Sequence, residues 1–124
     1  VGPFAFAECS SLEEIQLPPT VTTIGTKAEN GGCSFSGCES LIEMDIPAKV
    51  DFLNEAMFYN CKNLKKVIIP YNMNYIDQDL FYGCDNLEEV VLRNANTVIE
   101  DGTFDEKVKI TIENQNINKI YFEI

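Results

Sequence analysis

The phrase Phe-x-x-Cys-x-x-Leu-x-x-φ-x-φ-Pro, where φ is an apolar residue, returns along this chain and restricts its architecture more than any other feature. It reads Phe6, Cys9, Leu12, Ile15, Leu17 and Pro18, then Phe35, Cys38, Leu41, Met44, Ile46 and Pro47, then Phe58, Cys61, Leu64, Val67, Ile69 and Pro70. A fourth copy, Phe81, Cys84, Leu87, Val90 and Leu92, carries Arg93 where the proline stood. A self-similar period of this size predicts a solenoid, in which each copy forms one coil and buries its apolar residues against the next. Such a chain points to a surface that binds, and away from a catalytic pocket.

The anchors Phe35, Phe58, Phe81 and Phe104 follow one another at 23 residues, whereas Phe6 to Phe35 spans 29. The six extra residues fall within Thr26–Ser34. Each unit continues with two more apolar positions: Val21 and Ile24, Val50 and Leu53, Met73 and Ile76, and, with a poorer match, Asn96 and Ile99. A fifth unit opens at Phe104 and decays, with Lys107 in the cysteine position and Ile110 in the leucine position, as a terminal cap does. Residues 1–124 therefore read as one domain of about five coils with a 23-residue repeat. Residues 108–124 alternate like two strands and are expected to cap the C-terminal edge. The chain enters a repeat almost directly after Val1, with no comparable cap. It reads as a piece of a longer protein whose open N-terminal edge invites self-association.

Within a unit, Asn63 to Pro70 shows the expected local structure. Val67 and Ile69 alternate with Lys66 and Ile68, the period of a short strand with one buried face. Pro70 ends the strand because it has no N–H. Corresponding strands are expected to pair in parallel, with a second short extended stretch following, as at Met73–Ile76. The run Glu55–Asn60 before Cys61 fits a turn or two of helix, with Phe58 and Cys61 sharing its inward side. Asn54, Asp77 and Asp101 are placed to cap exposed N–H groups.

These residues resemble the BspA-like leucine-rich repeats, whose pattern runs Ala-Phe-x-x-Cys-x-x-Leu-x-x-Ile-x-Ile-Pro-x-x-Val-x-x-Ile-Gly. Ala5-Phe6 through Ile24-Gly25 follow it almost position for position, and the resemblance covers roughly residues 1–105. The insertion, Arg93 and Asn96 depart from it. The resemblance implies an α/β-class leucine-rich repeat solenoid of mostly short parallel strands, curved and right-handed. It also implies a secreted or cell-surface protein that contacts host matrix proteins, host cells or other microbes. It carries no catalytic motif and no cofactor.

Charge narrows the partners. Twenty acidic against nine basic residues give a formal net charge of −11. That excess disfavours nucleic acid, whose phosphates need clustered Lys and Arg, and adsorption to anionic membranes. No apolar run reaches the ~20 residues of a spanning helix. With no His in the chain, the commonest general base is missing and no Ser-His-Asp or Cys-His arrangement can form.

Five cysteines are present. Cys9, Cys38, Cys61 and Cys84 occupy the repeat position and read as small apolar side chains filling a tight turn. A zinc site needs ligands converging on one point, whereas a repeat position spreads them at ~4.8 Å per coil. Neighbouring stacked cysteines lie within Cα range of a disulfide, but their parallel Cβ vectors suit its geometry poorly. Cys33, in the insertion, is expected to be a free thiol. Glu55, Asp77, Asp79, Glu100 and Asp101 gather at one corner. Calcium would use such carboxylates, and caps with solvated charge explain them more simply.

Two columns are candidate contact surfaces. The outward strand positions are Gln16, Asp45, Ile68 and Val91, flanked by Glu14, Glu43, Lys66 and Glu89. The second stretch shows Thr23, Phe52, Tyr75 and Val98, with Tyr71 near. Asp45, Phe52, Ile68, Tyr71, Tyr75, Val91 and Val98 are the expected partner-binding set, for exposed aromatic and aliphatic side chains can anchor a protein. A protein partner of the host-matrix or cell-surface kind is the first expectation. The alternatives are a carbohydrate held on Tyr59, Tyr71, Tyr75 and Tyr82, or a spacer that presents another domain. The contrary reading is that these side chains only pack on one another or on missing neighbours.

Overall fold

The structure, a computed structural model, describes residues 6, 7, 9–24, 35–51, 53 and 57–113. Its strands are β1 (Glu43–Asp45), β2 (Lys66–Ile69), β3 (Tyr75–Ile76), β4 (Glu89–Leu92), β5 (Val98–Ile99) and β6 (Lys109–Ile112). No helix occurs among the described residues. All pairings are parallel: a four-stranded sheet in the order β1-β2-β4-β6, and a two-stranded sheet of β3 and β5. The run before Cys61, expected to be helical, is a turn at residues 57–60, closed by Cys61 N–H donating to Phe58 O. Glu55 and Asn54 lie outside the described residues, as do Cys33, Phe52, the Thr26–Ser34 insertion and the part of the expected cap beyond residue 113.

Register follows the repeat in the middle of the chain. Met44 lies opposite Val67, and Val67 opposite Val90. The side chains of these three and of Ile46, Ile69 and Leu92 point into one apolar core, because period-2 alternation puts them on one face. Beside that core runs a ladder of rings: Phe6, Phe35, Phe58 and Phe81 stack at centroid separations of 5.2, 5.7 and 5.3 Å. Phe104 continues the ladder at 5.5 Å but tilts by 38°.

The turn before Cys38, Cys61 and Cys84 needs a left-handed residue. Gly37, Asn60 and Gly83, equivalent in the repeat, have φ of 75°, 59° and 80°. Glycine adopts this region freely, and Asn is among the few side chains that tolerate it.

Three sequence expectations change. The first unit matches the motif best, yet residues 12–18 form no strand, and Ile15 and Leu17 are only partly buried against the core. In the fourth unit, Thr97 and not Asn96 takes the buried place of Met73. Pro18, Pro47 and Pro70 each open a turn whose carbonyl accepts the N–H three residues on, whereas here Asn94 O accepts Thr97 N–H. The cause is Arg93: it has an N–H, which donates to Ile69 O at 3.0 Å, so the ladder runs one residue further and the turn starts one residue later. In the last unit Lys109 pairs with Glu89, so Ile110 sits opposite Val90 in β6 and does not replace the leucine. Val108 takes that place, with its N–H on Asp105 O as Leu87 N–H is on Cys84 O.

Candidate binding surface

The outer face of the four-stranded sheet is built from the side chains that alternation turns away from the core. Register aligns them in two rows: Glu43, Lys66, Glu89 and Lys109, and Asp45, Ile68, Val91 and Thr111. Lys66 and Glu89 pair at 3.8 Å, and Thr111 Oγ1 donates to Glu89 Oε2 at 2.7 Å. Arg93 pairs with Glu113.

These contacts explain a correction. Val91, expected on the contact surface, is only 3% exposed. It sits on a central strand between Ile68 and Thr111, with Glu89 and Arg93 two residues to either side on the same face. The Lys66–Glu89–Thr111 contacts and the Arg93–Glu113 pair flank it. Asp45 is exposed and Ile68 is half-buried.

A cleft of about 820 Å³ opens on the N-terminal half of this face. Glu13, Glu14, Glu43 and Asp45 make its wall acidic, and Arg93 is its single cation among the described residues. Ile42, 46% exposed, and Ile68 supply apolar surface, while Pro19, Pro47 and Pro70 add rigid edges. Ile42 was missed by the sequence reading, because it precedes the alternating strand positions from which the columns were drawn.

The second expected column lies on the other sheet. Tyr75 and Val98 are register partners on β3 and β5 and are 52% and 57% exposed. Loss of hydration, then the nearby Glu100 carboxylate and Asp77, push the Tyr75 hydroxyl above its ordinary value. Neither Tyr75 nor Val98 lines the cleft, and Tyr71, half-buried, does not line it either. The described members of the expected set thus divide into a strand-face group of Asp45, Ile68 and Val91, a separate pair of Tyr75 and Val98, and Tyr71 in neither. Tyr59 and Tyr82 form a third feature, stacked at 4.9 Å beside the phenylalanine ladder.

The repeat cysteines are thiols, not disulfides. Cys38, Cys61 and Cys84 each donate Sγ–H to the carbonyl of the phenylalanine one unit earlier, Phe6, Phe35 and Phe58, at 3.0–3.1 Å. The residue is thus more than a small filler, since it satisfies a carbonyl between units. The neighbouring Cys84 thiol, then burial, push the Cys61 thiol far up. At the acidic corner the carboxylates cap turns: Asp77 Oδ1 accepts Asp79 N–H, and Glu100 Oε2 accepts Gln78 N–H. No group of metal-ligating side chains that could hold an ion occurs among the described residues. No helix among them is long and apolar enough to cross a membrane.

Parallel strands joined by repeated corners, with one apolar residue set stacked between units, define a leucine-rich repeat protein. The model of the BspA type leucine rich repeat region matches residues 1–111 in six copies, and the chain belongs to that family. A repeat region of this kind suggests a protein-interaction module. Neither the curated proteins nor the solved structures contain a match to the chain.

Proposed function

We propose that this chain is a non-catalytic protein–protein interaction and adhesion module of a cell-surface or secreted protein, and that it binds through the outer face of its four-stranded sheet. The cleft that gathers Ile42, Asp45 and Ile68 carries this reading, because it joins exposed apolar area to acidic charge on one continuous face. The partner is a matrix or cell-surface protein with a basic rim. The described units wind as a right-handed solenoid of about five coils. The 23-residue offset between partners on β1, β2 and β4 supports that winding.

A panel of extracellular-matrix and cell-surface proteins, titrated against the purified chain at physiological salt with and without calcium, tests the reading. Saturable, calcium-independent binding weakened by Ile68→Asp is expected. Absence of any protein hit leaves a spacer as the better description.

A carbohydrate is the second reading, favoured by the stacked Tyr59 and Tyr82 rings, the latter 57% exposed. A glycan array distinguishes it, through hits lost on Tyr82→Ala and kept on Ile68→Asp.

A further inference from the structure

We infer that the cleft receives an extended basic segment of the partner as an added strand on the edge of β1, which the described residues of the first unit leave incompletely paired. The inference rests on the interaction-module reading and gives it a mode of contact. In a parallel ladder, alternate residues turn their N–H and C=O groups to opposite sides. Ile42 O accepts from Lys66 N–H, and Ile46 N–H donates to Ile68 O, so these groups face β2. Glu43 and Asp45 therefore turn their main-chain groups the other way, toward the first unit.

There the neighbouring chain does not take them up. Residues 12–18 form no strand, and among the described residues a single backbone bond, Ile42 N–H to Glu13 O at 3.2 Å, joins this stretch to the start of β1. Ile15, Leu17 and Ile46 occupy inward positions of the repeat, yet all three line the cleft. The opening thus reaches in between the first unit and β1. Its two walls present a half-formed ladder: donors and acceptors at Glu43 and Asp45 on one side, and the 13–17 stretch on the other.

An unpaired edge is a template for strand addition, in which main-chain bonds give affinity and alternate side chains give specificity. Side chains of an added strand would alternate between the inward residues Ile15, Leu17 and Ile46 and the outward carboxylates of Glu14, Glu43 and Asp45. The chemistry selected is therefore a segment alternating aliphatic and basic residues. Charge complementarity excludes an acidic one.

The test uses the full chain and three synthetic hexapeptides: alternating Lys-Val, alternating Glu-Val, and Lys-Val N-methylated on the amides of one edge. Amide exchange at Glu43 and Asp45 is followed by NMR. The Lys-Val peptide is expected to saturate and to slow exchange at both amides at least about tenfold, while the Glu-Val peptide does not bind. N-methylation and the double variant Glu14→Gln/Asp45→Asn are each expected to weaken binding roughly tenfold. Full protection of the Glu43 and Asp45 amides in the free chain, no binding of Lys-Val, or indifference to N-methylation overturns the inference. Protein binding that stays sensitive to Ile68→Asp in those cases leaves the interaction module standing and removes only this mode of contact.

Discussion

The Sγ–H of Cys61 donates to the carbonyl oxygen of Phe35, 3.1 Å away and one unit earlier in the stack. The same bond recurs at Cys38 and Cys84, so the thiol column stitches successive turns where buried carbonyls would otherwise lack a second donor. Cys61→Ala is expected to lose about 1–2 kcal/mol, since a donor and a little volume go while Phe35 O keeps its bond from Cys38 N–H. Chemical denaturation of wild type and variant measures this. Native-state alkylation followed by mass mapping should leave Cys61 unmodified, because only the thiolate reacts.

The same thiol makes stability depend on pH in a defined direction. Its ordinary value of about 9 applies in the unfolded chain, and the fold pushes it far higher. The native state therefore holds a proton that the unfolded state releases, and stability falls as pH rises. Stability should be flat with respect to Cys61 below about pH 8 and decline from about pH 9 upward, at a limiting slope of ~1.4 kcal/mol per pH unit. Denaturation midpoints from about pH 7 to about pH 10.5 check it, and Cys61→Ala should flatten the upper part of the curve.

Restoring the repeat's proline should harm this chain. Arg93 N–H donates to Ile69 O, and its guanidinium pairs with Glu113. Arg93→Pro removes both bonds and forces the turn back by one residue, where Asn96 would displace Thr97 from its buried place. The expected loss is about 1–3 kcal/mol. Equal or greater stability, read by thermal and denaturant unfolding, would show that the shifted turn is not adapted to Arg93.

Gly83 is constrained twice. Its φ is +80°, and a Cβ built on it would run into the Asn60 Oδ1 of the preceding unit. Gly83→Ala is expected to destabilise by roughly 1–2 kcal/mol. Part of that is repulsion from the Asn60 side chain, so the same substitution should cost less in an Asn60→Gly background. A double-mutant cycle by denaturant unfolding measures the coupling.

How much of this is legible in the sequence depends on how far a feature follows from the repeat alone. Val67 and Ile69 in the core, Pro70 at the corner and the parallel partners of β2 follow from periodicity, because each unit repeats the same local chemistry. Thr97 and Val108 do not. Their places are set by a ladder that lengthens at Arg93 and a last unit that loses residues before its strand, and both outcomes need the neighbouring unit. Val91 shows the same limit for the surface. Alternation correctly turns it outward, but its burial comes from Lys66, Glu89, Thr111 and the Arg93–Glu113 pair, which lie on or directly after three strands. The unformed ladder at residues 12–18 is the largest gap, since those residues match the motif better than any others.

The two halves of the expected contact set can be told apart by binding. Ile68 lines the cleft on the four-stranded sheet, whereas Tyr75 stands on β3 of the smaller sheet, outside it. Both side chains keep solvent-accessible surface, so truncation or charge at either should change stability little. Ile68→Asp places a carboxylate in an apolar contact already rimmed by Glu43 and Asp45, and should weaken a protein partner about tenfold or more. Tyr75→Ala should leave that affinity within about twofold. Surface-immobilised titration of both variants against the same partner, with circular dichroism melts as a control for folding, gives the answer. Loss of binding on Tyr75→Ala with Ile68→Asp unaffected would move the contact to the β3–β5 sheet.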